Sequence, residues 1–182
     1  TDVGENRDQE GRAKRSGVRS EELRWHMIGR LQRNKVSSVA RWSDIVESID
    51  RHELIAPLAG AVERFDRKPV QVLLQVSLDP MPDPGRGGID PNDVESLAEA
   101  VAGHEALHLA GVMAVAPHPD TGVNPRAAFD RLYEISALVR ASWPNAREIS
   151  AGMSSDLEAG VAAGATQVRI GGAILGERPP VQ

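Results

Sequence analysis

The sequence predicts an α/β fold, a (β/α)8 barrel of parallel strands, and three observations point there. Apolar runs of strand length alternate with segments of helical periodicity along the whole chain, the pattern of parallel strands joined by right-handed crossovers. One run, Val70 to Leu78, is almost continuously apolar, as strands covered on both faces of a parallel sheet are. The last two strand–helix units, finally, end in turns suited to an anion: a hydroxyl pair at Ser154-Ser155 and the bare backbone of Gly171-Gly172. Barrels of this kind often build a phosphate site from the loops after their last two strands plus a short extra helix.

In order, Asp2-Val3-Gly4 reads as a strand ending in Glu5-Asn6, and Arg7 to Arg15 as a polar helix weakened by Gly11 and Gly17. Trp25 to Gly29 is a strand. Leu31 to Trp42 has helical spacing through Leu31, Val36, Val39 and Ala40. Ile45 to Ile49 is the next strand, with Asp50 placed to cap a helix from Arg51 to Phe65 whose stripe is Leu54, Ile55, Leu58, Ala61 and Val62. After the Val70 strand, Asp79 to Gly88 is a Pro/Gly-rich loop. Asp90-Pro91 starts a helix that faces inward through Val94, Leu97, Ala98 and Val101. Leu109 to Ala116 is a strand, and Asn124-Pro125 opens a helix to about Trp143, inward through Ala128, Leu132, Ile135 and Val139. Ile149 to Met153 is a strand. Asp156 stands at an N-cap position before a helix with Leu157, Val161 and Ala162 on its buried face, and Gly164 closes that helix. Gln167 to Ile170 is the last strand, with Gly171-Gly172 leading into a helical turn that runs toward Arg178.

Strands centred near residues 3, 27, 47, 74, 112, 151 and 168 make seven, one short of the eight that close such a barrel. The expectation is that one N-terminal strand–helix unit precedes Thr1. Residues 1–182 would then be one TIM-barrel domain, incomplete at its N-terminus, with unpaired edges on its first and last strands. An open doubly wound sheet is the alternative and needs no further strand. Its nucleotide fingerprints, G-x-G-x-x-G and G-x-x-x-x-G-K-[ST], do not occur.

The 182 residues are 41% hydrophobic and 26% charged, enough for one substantial core. A net charge of −5 without a basic block argues against nucleic acid as a partner. No apolar run is long enough to span a bilayer, so no membrane role is expected. There is no cysteine, which excludes disulfides and thiolate chemistry and fits a cytoplasmic setting. Three lysines (Lys14, Lys35 and Lys68) stand among 21 basic residues, so any lysine chemistry must use one of them.

The two C-terminal turns, taken singly, also read as an ordinary helix cap and an ordinary tight turn. Together, on consecutive strand–helix units with Arg169 between them, they form a phosphate cradle: a hydroxyl beside unpaired N–H groups at helix starts. His104-Glu105-Ala106-Leu107-His108 spells the zinc-protease signature H-E-x-x-H, which needs both histidines in mid-helix and a third ligand. Here Gly103 interrupts the helix first and a strand follows at once, so no metal site is expected.

Five blocks carry a resemblance: Gly4-Glu5-Asn6 with Gln9-Glu10; Trp25-His26-Met27-Ile28-Gly29 with Leu31-Gln32 and Asn34-Lys35; Gly111-Val112-Met113; Ser150-Ala151-Gly152-Met153-Ser154 with Asp156, Glu158 and Ala159; and Val168-Arg169-Ile170-Gly171 with Ile174-Leu175-Gly176. In this order, over Val3 to Arg178, they resemble the pyridoxal-phosphate homeostasis proteins, the alanine-racemase-like N-terminal-domain family. The resemblance implies a barrel that binds pyridoxal 5′-phosphate (PLP) on a Schiff-base lysine at the end of the first strand, which would lie before Thr1. Lys35 matches a different lysine of the family. The resemblance further implies that Ser154 and the backbone N–H groups of Gly171 and Gly172 hold the phosphate, that Arg169 faces the pyridine nitrogen, and that Asn6 and Met113 contact the ring. An arginine there keeps that nitrogen unprotonated and makes the ring a poor electron sink. Gly172 departs from the family's threonine, removing one hydroxyl from the cradle.

Three functions remain open. The first is a PLP carrier or buffer, whose partners would be PLP or another phosphate ligand and PLP-dependent apoenzymes. The second is an amino-acid racemase, which needs an acid and a base on opposite faces of the substrate; Tyr133, a single tyrosine, falls in an outer helix. The third is a barrel enzyme of another phosphorylated substrate, with Glu5, Asp50 and Asp79 as its strand-end acids. The first is preferred. His26 is read as a core histidine with one backbone bond.

Overall fold

The computed structural model describes residues 1–176 apart from Arg19, Glu21, Pro82 and Pro84. Glu177 and Arg178, at the end of the last stretch, lie outside the described residues. The strands are β1 (Asp2–Glu5), β2 (Arg24–Met27), β3 (Ile45–Ile49), β4 (Val70–Gln75), β5 (Leu107–Met113), β6 (Glu148–Met153) and β7 (Gln167–Arg169). Between them run α1 (Asp8–Gly17), α2 (Val36–Trp42), α3 (Ile55–Arg64), α4 (Val94–Ala102), α5 (Pro125–Ser142) and α6 (Leu157–Ala162); α7 (Gly172–Leu175) follows β7.

Every strand pair is parallel and the sheet order is β1 to β7 in sequence. That order decides between the two folds left open by the sequence. A doubly wound sheet reverses direction at a switch point, whereas this one winds one way only. It curls until side chains of early strands touch the last one: Gln167 of β7 lies 2.6 Å from Glu47 of β3 and 3.4 Å from His26 of β2. The result is a nearly closed barrel of seven strands with helices outside. β1 and β7 end the sheet, with no pairing between them among the described residues.

The main core lies between sheet and helices, where the predicted stripes are buried: Ile55, Leu58 and Val62 on α3 with Leu54 just before it, Leu97 and Val101 on α4, Leu132 and Val139 on α5. Burying each such side chain contributes roughly 1.5–3 kcal/mol. A second, smaller apolar cluster fills one side of the barrel interior: Ile45, Leu73, Ala110 and Met113, with Val115 against them.

Some local expectations are corrected. The second helix begins at Val36 after a 3-10 turn over Arg33–Lys35, so Leu31 is buried from a loop. Asp50 caps nothing: the third helix also enters through a 3-10 turn, His52–Leu54, and the Asp50 carboxylate pairs with Arg51. The fifth strand is Leu107–Met113, earlier than its most apolar residues suggested. In α6 the face expected inside is wrong, since Val161 is 56% exposed and Ala162 is exposed too. Gly160 packs instead. A Cβ there would lie 2.7 Å from the Ala151 carbonyl, so the helix rides on β6 through its bare backbone.

Candidate functional site

Ser150 pairs with Gln167 and Met153 with Arg169 across the parallel β6–β7 ladder. Strands so paired lie about 5 Å apart, so the turns that follow Met153 and Arg169 leave the same end of the barrel as neighbours. Both stay open. Ser154, Ser155, Gly171 and Gly172 are exposed, and a Cβ added at Gly171 or Gly172 would meet nothing within 4 Å. Asp156 does sit at the N-cap of α6, but its carboxylate turns back and accepts from the Met153 N–H at 2.6 Å, bracing the serine turn instead of capping the helix. Among the described residues the N–H groups of Ser154, Gly171 and Gly172 donate to no protein acceptor. The rim therefore offers a hydroxyl and backbone donors, with its carboxylate already engaged.

Arg169, on β7, points inward beneath this rim, its side chain 9% exposed. One terminal nitrogen donates to Ser150 Oγ at 2.5 Å, the other to the Ala114 carbonyl just beyond β5 at 2.7 Å. The Glu47 carboxylate lies 3.9 Å away. Met113 is 1% exposed, in the apolar part of the interior. Asn6 is exposed just past β1, and a Cβ on Gly29 would lie 2.1 Å from its carbonyl, so the loops after β1 and β2 abut there. Ser154, Gly171, Gly172 and Arg169 are thus brought to one end of two adjacent strands; Met113 ends β5 and Asn6 follows β1.

Sequence reasoning missed what holds Arg169. Glu47 is fully buried and accepts three hydrogen bonds, from His26 Nδ1, Ser150 Oγ and Gln167 Nε2, each 2.6 Å. His26 makes no backbone bond of the kind expected. It lies between two carboxylates, with Nε2 3.0 Å from Asp2 Oδ1. Facing acceptors on both sides, its two ring nitrogens both carry protons. The signal is the one charge inside the apolar strand Ile45–Ile49, since a buried carboxylate requires partners.

Burial opposes every charge in this group. It pushes the Glu47 carboxyl up, but hydrogen bonds from His26 and Ser150 and the charges of His26 and Arg169 outweigh it and hold Glu47 below the ordinary range. Burial likewise pushes His26 down, and Glu47 and then Asp2 reverse the sign, leaving it raised. Arg169 is lowered by burial against the pull of Glu47 and Asp156, and remains the cation its chemistry dictates. Asp2 is lowered: burial raises it, and Arg24 and His26 prevail.

The strand-end acids of the competing readings are each paired with a cation, and the histidines of the metal motif do not share an element. Glu5 is bonded to Lys14 at 2.7 Å, Asp79 to Arg86 at 2.9 Å and Asp50 to Arg51. His104 follows the end of α4 while His108 is an exposed residue of β5, and no group of three potential metal ligands exists among the described residues. Tyr133 is 45% exposed on α5. No described helix is long and apolar enough to cross a membrane.

What this defines is a parallel α/β barrel with an anion-ready rim at the C-terminal ends of its last two strands and a buried cation beneath. The family described as alanine racemase, N-terminal domain, matches residues 1–179. A pyridoxal phosphate homeostasis protein of Mycobacterium tuberculosis is 40% identical over 194 residues, spanning 97% of this chain and 73% of that protein. The chain belongs to this family, among the pyridoxal phosphate homeostasis proteins. PipY of Synechococcus elongatus, solved with PLP bound, superposes with a TM-score of 0.79 at 30% identity, over 92% of this chain and 77% of that one. An alanine racemase of Clostridium difficile shares the fold, with a TM-score of 0.73 at 13% identity over 98% of this chain and 45% of that one.

Proposed function

We propose that this chain binds PLP at the rim formed by β6 and β7 and serves to carry or buffer the cofactor. The observation that carries the reading is the register of those strands, which places the serine turn and the glycine turn side by side and open. The donor set suits a phosphate ester: the Ser154 hydroxyl and the N–H groups of Gly171 and Gly172 present hydrogens, and the nearest carboxylate, Asp156, is engaged with Met153. Arg169 would face the ring nitrogen from below, with Met113 and Asn6 along the ring. When bound, the cofactor supplies an aldehyde that combines reversibly with amines. The chain's own residues orient the ring and keep its nitrogen unprotonated. Relatives named as pyridoxal phosphate homeostasis proteins and PipY with PLP support this reading. In the same proposal residues 1–182 form one barrel domain, the recipients are PLP-dependent apoenzymes, and the setting is the cytoplasm.

The alternatives lack their chemistry among the described residues: Tyr133 is on the outer surface and the strand-end acids are committed to cations. The test is a PLP titration read by absorbance, with inorganic phosphate as competitor. Saturable binding, displaced by phosphate and weakened about tenfold by Ser154→Ala, is expected. Failure of the folded chain to take up PLP would defeat the reading.

A further inference from the structure

Ser150 and Glu47 together explain how a buried arginine keeps one position at the floor of the site. Ser150 has a single hydroxyl proton, and Glu47 Oε2, an ionised acceptor 2.6 Å away, takes it. The serine lone pairs are thereby left facing Arg169, whose N–H arrives at 2.5 Å. Donation therefore runs one way, from guanidinium to hydroxyl to carboxylate. The other carboxylate oxygen of Glu47 is anchored by His26 and Gln167, so the acceptor end of the chain cannot swing. Glu47 is fully buried on β3, Ser150 fully buried on β6, and Arg169 lies on β7, so the relay ties three strands to the guanidinium.

We propose that Glu47 is a positioning residue for the ring end of the site, acting on Arg169 through the Ser150 hydroxyl. The inference rests on the PLP reading above and goes beyond it in assigning a role to a carboxylate that touches no ligand. Replacement by glutamine keeps shape and volume but reverses the relay. The amide oxygen stays with the donors His26 and Gln167, so its NH₂ meets Ser150. The serine then accepts from both the amide and Arg169 through its two lone pairs, so its own proton loses the carboxylate acceptor and the guanidinium loses the Glu47 charge 3.9 Å away. Arg169 shifts off its position, while the phosphate turns above are untouched.

PLP and inorganic phosphate are titrated separately into the wild-type chain and into Glu47→Gln, Ser150→Ala and Ser154→Ala, each shown to be folded by circular dichroism. Glu47→Gln is expected to weaken PLP about tenfold and to leave phosphate within about twofold, its site being separate. Ser150→Ala should act in the same sense with smaller amplitude, and it carries the test if the glutamine variant does not fold. Ser154→Ala should weaken both ligands. Folded Glu47 and Ser150 variants that bind PLP as well as wild type, or that lose phosphate and PLP alike, would overturn the inference. A wild-type chain that takes no PLP would instead sink the underlying reading, and this one with it.

Discussion

The two sides of the sheet follow different rules. Outside, between strands and helices, most buried residues are hydrocarbon, apart from a few polar groups such as Ser136 on α5 and Asp8 on α1, which accepts from Ser38 and Trp42. Inside, one part of the barrel is apolar, around Leu73 and Met113, and another is a polar chain of His26, Glu47 and Arg169 with Ser150 and Gln167, met at its outer end by the exposed Asp2. Hydrophobic burial is non-directional and tolerates repacking. A buried charge tolerates nothing of the kind, because each partner removed leaves an uncompensated ion. The outer layer makes the barrel, and the inner polar part orients one arginine.

Glu47→Ala, which strands His26 and Arg169, is expected to lower unfolding free energy by about 3–5 kcal/mol in urea titrations, the largest effect of any inner substitution. Leu58→Ala in the outer layer should cost about 2–5 kcal/mol while leaving PLP affinity in the folded protein unchanged. If Leu58→Ala altered affinity as Ser154→Ala does, the two layers would not be separable. A gentler probe is pH. His26 is raised, so its contribution to stability is complete below its ordinary value of 6.5 and is lost as pH rises through the folded value. Glu47 is lowered, so its contribution is present above its ordinary value of 4.5 and is lost as pH falls through the folded value. The urea midpoint should therefore be highest between those values and decline on the alkaline side, and His26→Gln should flatten the alkaline decline. The smallest effect belongs to the zinc-like motif: His108→Ala should shift stability by less than about 0.5 kcal/mol, and a chelator should leave the melting temperature unchanged.

Most of the outer layer was legible because periodicity encodes it directly. All seven strands, the stripe on α3 and the Pro-led starts near Asp90 and Asn124 follow from spacing and caps within a few residues. The exceptions have local causes: α6 is turned because Gly160 allows backbone contact that no side-chain pattern announces, and Asp50 is drawn to Arg51 in place of the helix start. The turns at Ser154 and Gly171 were also legible, as each is a short contiguous signature. The inner network was not. Glu47 meets Ser150 across 103 residues and Gln167 across 120, and no spacing rule links such positions. A lone glutamate in an apolar strand marks that some partner exists without naming it.

The most direct test follows the backbone amides by NMR while inorganic phosphate, and then PLP, is added. The N–H signals of Ser154, Gly171 and Gly172 are expected to move together, with one dissociation constant for each ligand, and the Arg169 side chain to respond to PLP alone. Signals of the two turns that titrate independently, or that stay still while amides around Asp50 or Asp79 move, would contradict that expectation.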